Sequence, residues 1–227
     1  MALLVQGQVG PTVNSDGAPQ LLRLGKAGDV SVSLLHGRYY EQVYRGNVYS
    51  TGMSATALSA NTITLSATTT PILGLFNPLT SPVNLVILKA SLTWFVNTAT
   101  TPQSAGSFVW AASTGNVAIT TGLSPMNRKS LSATGSQAKA FNGVTALTGL
   151  TNNLVIFDGA DIPSPGPLAY GAIAVTGSGN ALAGALGVQD FDGGLIVPPG
   201  GVLALLNTTS TTTMSVSGRL IWEEVPV

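Results

Sequence analysis

Thr213-Met214-Ser215-Val216-Ser217-Gly218-Arg219-Leu220-Ile221-Trp222 alternates polar and apolar side chains along most of its length. Met214, Val216, Leu220 and Trp222 share one parity; Thr213, Ser215, Ser217 and Arg219 share the other. Successive side chains of a strand point to opposite faces, so this pattern describes a strand with one face in a core and one toward water. A slip of one residue would invert every side chain, so the register is firmly set.

The same logic extends upstream. Pro198-Pro199-Gly200-Gly201 punctuates the chain before Val202-Leu203-Ala204-Leu205-Leu206, and a polar link from Asn207 to Thr211 leads to the final strand. That arrangement predicts an antiparallel hairpin. Val86, Leu88, Ala90, Leu92 and Trp94 share one parity against Lys89, Ser91 and Thr93, which predicts a long strand with its even positions inward. Thr62-Ile63-Thr64-Leu65-Ser66 alternates in the same way. Asn77-Pro78 with Ser81-Pro82, and Pro163-Ser164-Pro165-Gly166-Pro167, are turn clusters. Helical signals are scarce; Gln137 to Phe141 has room for a turn or two. Short strands separated by Gly- and Pro-rich turns predict an all-β fold, an antiparallel β-sandwich of jelly-roll type. Trp94, Trp110 and Trp222 are its natural core anchors, each requiring an acceptor for the indole N–H.

Composition narrows the function. Only 8% of the 227 residues are charged, with nine basic and nine acidic residues. Soluble domains carry roughly 25% charged residues. Mean hydropathy is positive, and a surface so poor in charge suits a protein packed against neighbours. There is no cysteine, which removes disulfides, thiolate catalysis and Cys-based zinc sites. No basic excess marks a nucleic-acid surface. Met1-Ala-Leu-Leu-Val-Gln-Gly lacks a basic n-region and a long apolar run, so no signal peptide is expected. Ala169 to Val188 has spanning length, but Gly171, Thr176, Gly177, Ser178, Gly179 and Asn180 interrupt it, so no membrane partner is expected.

Charge is unevenly spread. Residues 1–50 hold seven of the eighteen charges and four of the five tyrosines, in under a quarter of the chain. We read 1–50 as an N-terminal arm or attachment segment and 51–227 as the sandwich body. Tyr and Arg are enriched where proteins meet, because they join large area to a polar handle. Arg38, Tyr39, Tyr40, Tyr44, Arg45 and Tyr49 therefore form a candidate interface. A ligand patch that stacks sugars or bases is the alternative.

Signals for chemistry are weak, and no catalytic residue, cofactor or metal is assigned. His36 is the single histidine, and no nucleophile-elbow motif stands near it. It reads as an interfacial or hydrogen-bonded side chain. Asp158 and Asp161 flank Gly159-Ala160, and Asp190-Phe191-Asp192-Gly193 is an oxygen-rich loop, but the later Glu of a helix-loop-helix calcium site is missing. These carboxylates read as turn residues bonding their own backbone. Asp158 with Asp190 as a facing glycosidase pair has no support in the spacing. Gly177-Ser178-Gly179 lacks the third glycine and the following helix of a nucleotide fingerprint. Asn207-Thr208-Thr209 matches a glycosylation acceptor without a secretory signal. Glu223 and Glu224 read as solvent-facing or intersubunit charge.

Three segments resemble a loosely characterised group of tailed-bacteriophage virion proteins: Leu35-His36-Gly37-Arg38-Tyr39-Tyr40-Glu41-Gln42-Val43-Tyr44-Arg45-Gly46; Leu75-Phe76-Asn77-Pro78 with Ser81 and Asn84-Leu85-Val86-Ile87-Leu88; and Gly218-Arg219-Leu220-Ile221-Trp222-Glu223-Glu224. The resemblance implies a jelly-roll-like sandwich, often trimeric, that decorates a head or belongs to the neck, tail or fibre. It carries over no active-site residue. The expectation is a non-enzymatic head decoration or minor capsid protein in the virion, assembled in the host cytoplasm. Its expected partners are itself, as a homotrimer, and other virion proteins such as the major capsid protein. The alternative is a receptor- or glycan-binding module of a tail fibre, spike or baseplate.

Overall fold

The computed structural model describes residues 7–8, 22–23, 37–53, 58–59, 71–96, 108–119, 122–142, 147, 149–152, 154–159, 182–207 and 214–227. The chain divides into two compact units, Met1–Tyr40 and Glu41–Val227. In the first, β1 (Gly7–Gln8) and β2 (Leu22–Arg23) form a short parallel pair.

The second unit is the β-sandwich. After α1 (Tyr40–Arg45) its strands are β3 (Val48–Gly52), β4 (Leu58–Ser59), β5 (Leu73–Phe76), β6 (Val83–Val96), β7 (Phe108–Thr114), β8 (Met126–Asn127), β9 (Lys139–Asn142), β10 (Val155–Gly159), β11 (Leu182–Val197), β12 (Gly201–Asn207) and β13 (Met214–Pro226). One sheet runs β10-β7-β12-β5-β9; the other runs β11-β6-β13-β3-β8, with β4 on β13. All these pairings are antiparallel. Setting aside β4, β8 and β9, the strands pair first with last: β3 with β13, β5 with β12, β6 with β11, β7 with β10. The chain changes sheet at each of these steps except β7 to β10. This is the rolled-up hairpin of a jelly roll.

β3 covers the expected junction at residues 50 and 51, and the compact unit that contains it begins at Glu41.

Between the sheets, Leu73, Leu75, Leu85, Ile87, Leu92, Trp110, Leu203, Leu205, Val216, Leu220 and Trp222 form one core. A second core covers the opposite face of the five-stranded sheet. Val109, Ala111, Val202, Ala204, Leu206 and Phe76 meet Val117, Leu147 and Leu154 there. Both parities of β12 are thus buried. This explains why Val202–Leu206 does not make the expected hairpin with the final strand. A run apolar on both faces needs cover on both, and β12 finds it between β5 and β7, in the other sheet from β13.

The β6 pattern is also corrected. Ala90 and Leu92 point inward, but before them Leu85 and Ile87 do, and Val86 is only half-buried. Ile221 pairs with Lys89 and Trp222 with Ile87, leaving Leu88 as the extra residue of a bulge that switches the parity. The expected helical turn at Gln137–Phe141 is instead occupied by β9. The Thr62–Ser66 and Pro163–Pro167 readings lie outside the described residues.

Candidate functional site: the two edges of the sandwich

The jelly roll leaves two edges, β8 with β9 on one side and β10 with β11 on the other. Candidate functional residues gather on both.

At the first edge, α1 is set by local chemistry. Glu41 lies in its first turn and Arg45 in its last, matching the helix dipole. Their side chains bond at 2.8 Å across one turn. Gly46 at φ 83° ends the helix: its N–H donates to the Val43 carbonyl and that of Asn47 to the Gln42 carbonyl, a Schellman close. Asn127 of β8 fastens the helix end, donating from Nδ2 to the Gly46 carbonyl at 2.6 Å. Its Oδ1 accepts from the Lys129 and Ser130 N–H groups, which brings Lys129 Nζ over the Tyr44 ring at 4.8 Å. β9 is closed on its outer side, because the Leu123 N–H donates to the Ala140 carbonyl at 2.8 Å. Exposed here are Tyr44, Met126, Leu131, Arg128, Lys129 and Lys139.

Beneath this edge lies Glu224, 7% exposed. It accepts from Ser136 Oγ at 2.6 Å, from the Gln137 and Ala138 N–H groups, and from Trp222 Nε1 at 3.3 Å. The sequence reads it as solvent-facing or intersubunit charge, whereas the structure buries it within the chain. Its parity with Val216, Leu220 and Trp222 was the signal that it turns inward. Glu223, one residue off, is half-buried, and burial raises its pKa above the ordinary carboxylate value.

At the second edge, β10 has β7 as its neighbour and no further strand among the described residues. Val155, Ile156 and Phe157 are all exposed, as are Val188 and Ile196 of β11. A groove of about 350 Å³ runs between them, lined by Ser113, Val155, Leu195, Ile196, Val202 and Leu203. β11 carries a wide irregularity: Asp190 pairs with Lys89 and Leu195 with Ile87, so four residues stand opposite Leu88. Asp192 at φ 52° and Gly193 at φ 84° make the turn. The excursion sends Phe191 edge-on to Trp110 at 5.5 Å.

The interface residues proposed from sequence fall in different local settings. Tyr40, Tyr44 and Arg45 lie on α1; Arg38 sits 5.7 Å over the Tyr39 ring. Tyr49 is in the core, 7% exposed and stacked on Trp222 at 6.2 Å. Of the tryptophans, Trp110 is fully buried and donates to Gln189 Oε1 at 2.8 Å, and Trp222 is fully buried. Trp94 stands in β6 opposite Ala185 and Val216, with its side chain outside those described. Asp190 is held by Lys89 at 3.1 Å. Among the described residues no three His, Asp or Glu side chains gather as a metal cup. No helix among them is long and apolar enough to cross a membrane. Asp158 lies on β10 and Asn207 ends β12, their side chains outside those described; His36, Asp161 and Gly177–179 lie outside the described residues.

Sequence reasoning missed Arg128, Lys129 and Lys139. The signal for them was sign rather than motif: the base-only stretch 126–142 against the acid-only stretch 155–197.

No protein-family model, curated protein or solved structure matches this chain.

Proposed function

We propose that this chain is a non-enzymatic structural protein of a bacteriophage virion, a head decoration or minor capsid protein that works as a homo-oligomer, with three copies favoured. The observation that carries the reading is the conjunction of a jelly-roll sandwich with an exterior poor in charge and rich in exposed apolar side chains at its edges. Jelly rolls recur in viral shells and in lectins, so the architecture favours the reading by analogy alone. The physical support is surface chemistry. Val155, Ile156 and Phe157, exposed in sequence on a strand with no outer neighbour among the described residues, are a liability for a solitary protein. They are useful to one covered by neighbours.

The purified full chain is expected to have the mass of several copies in solution, and imaging of intact particles is expected to find it on the shell. A single soluble unit that turns over a small substrate would overturn the reading. A second reading, a glycan-binding module, is favoured by Tyr44, 60% exposed beside Lys129. Saturable binding on a glycan array, lost in Tyr44→Ala with the fold intact, would select it.

A further inference from the structure

Where charge is scarce, its placement carries weight. α1 and the 126–142 segment at the first edge hold Arg45, Arg128, Lys129 and Lys139 against one acid, Glu41. Glu224 below them is buried and bonded to Ser136, Gln137 and Trp222. β10 and β11 at the second edge hold Asp158, Asp190 and Asp192, and neither strand contains a Lys or Arg. Lys89 from β6 engages Asp190 there. The two edges of one sandwich thus carry opposite signs, and each adds exposed apolar side chains: Tyr44, Met126 and Leu131 on the basic edge, Val155, Ile156, Phe157, Val188 and Ile196 on the acidic one.

We infer that a second copy of this chain docks head to tail, its basic α1–β8–β9 edge on the acidic β10–β11 edge of the first. This rests on the assembly reading above and specifies its contact. Opposite edges at the two ends of each sheet cannot meet within one sandwich, but they meet between copies. A two-fold contact would set acidic edge on acidic edge, or basic on basic, which like-charge repulsion disfavours. A heterologous contact pairs the signs and repeats, closing into a ring if the rotation allows and otherwise extending. Burial of the apolar residues supplies most of the driving force, and the charges select the partner edge. The contact is made by side chains: Leu123 already occupies the outer edge of β9, so a partner strand cannot extend that sheet there.

The test uses the full chain and reads mass in solution by sedimentation, at low and high salt. Arg128→Glu with Lys129→Glu turns the basic edge net acidic; Asp190→Lys with Asp192→Asn, both at exposed positions, turns the acidic edge net basic together with Lys89. Each is expected to weaken association at least tenfold, and the combination is expected to regain most of it, because the reversed edges again attract. High salt should weaken the wild-type assembly. Circular dichroism reports folding, and Lys129→Glu with Lys139→Glu replaces the first pair should that variant misfold. A multimer indifferent to both reversals, or a combination no better than its parts, overturns the head-to-tail contact and leaves the assembly reading standing. Dissociation by Phe157→Lys alone, with the basic reversal silent, overturns it in favour of a two-fold β10 contact. A wild-type chain that sediments as one copy overturns both.

Discussion

The two sheets of the sandwich are built on different rules. The five-stranded sheet is covered on both faces, and its strands β7, β12 and β5 are apolar almost continuously, as in Phe108-Val109-Trp110-Ala111 and Val202–Leu206. The six-stranded sheet has one face in the core, and β13 alternates buried Val216, Leu220 and Trp222 with half-buried Ser217 and exposed Arg219. Alternation therefore reports how many faces of a strand are covered, and its absence in β12 marks a central layer rather than a failed strand. A Cβ at Gly74 of β5 would strike the Leu203 carbonyl of the neighbouring strand and the Phe141 ring of the second core.

Serine substitutions along the two strands would sharpen this contrast most. Val202→Ser and Leu203→Ser, adjacent on β12, are each expected to cost about 2–5 kcal/mol, since both faces are core. On β13, Leu220→Ser should cost the same while Arg219→Ser stays within about 0.5 kcal/mol. Denaturant titration of the four variants reads the pattern, and a tolerated Val202→Ser would remove the second core. Trp110→Ala is next, expected to lose about 3–5 kcal/mol and to leave the buried Gln189 Oε1 without its donor. Glu224→Ala is expected to cost about 2–3 kcal/mol, by removing the acceptor of the Gln137 N–H and of the buried Trp222 indole N–H. Hydrogen exchange should rise first in residues 136–138.

The smaller effects run the other way. Thr51 is 4% exposed and its Oγ1 has no hydrogen-bond partner, so Thr51→Val is expected to raise stability by about 1 kcal/mol. A thermal melt reads the change. Glu223 gives the pH arm. Its folded pKa is raised above 4.5 by burial, so between the unfolded and folded values the native state binds more protons. Stability from this group is greatest below its unfolded pKa and declines as pH rises through the folded one. Glu223→Gln should flatten that decline, with little change at lower pH, as read by melting temperature across the interval.

Much of the body was legible in the chain. β13 showed its inward face at Val216, Leu220 and Trp222, and the Pro198–Gly201 and Asn77–Pro82 clusters marked the turns that lead into β12 and β6. The bulge at Leu88 was not legible, because the parity switch it makes is visible only against Ile221 and Trp222 on the neighbouring strand. Tyr49 reads as an interface tyrosine because it follows a Tyr- and Arg-rich run; its pairing with Trp222 takes it inside. The candidate site was half legible. The Tyr- and Arg-rich segment drew attention to α1, whereas Lys129 joins Tyr44 only because Asn127 holds the helix end against β8.

Residue order is enough to show that the chain forms sheets with protected faces, since side-chain parity is a local property of an extended backbone. Which strands share a sheet, which face receives a second core, and how scattered charges sort by sign onto opposite edges follow from long-range packing. Those outcomes depend on contacts between residues far apart in the chain, such as Lys89 with Asp190 and Trp110 with Gln189, and no local pattern encodes them.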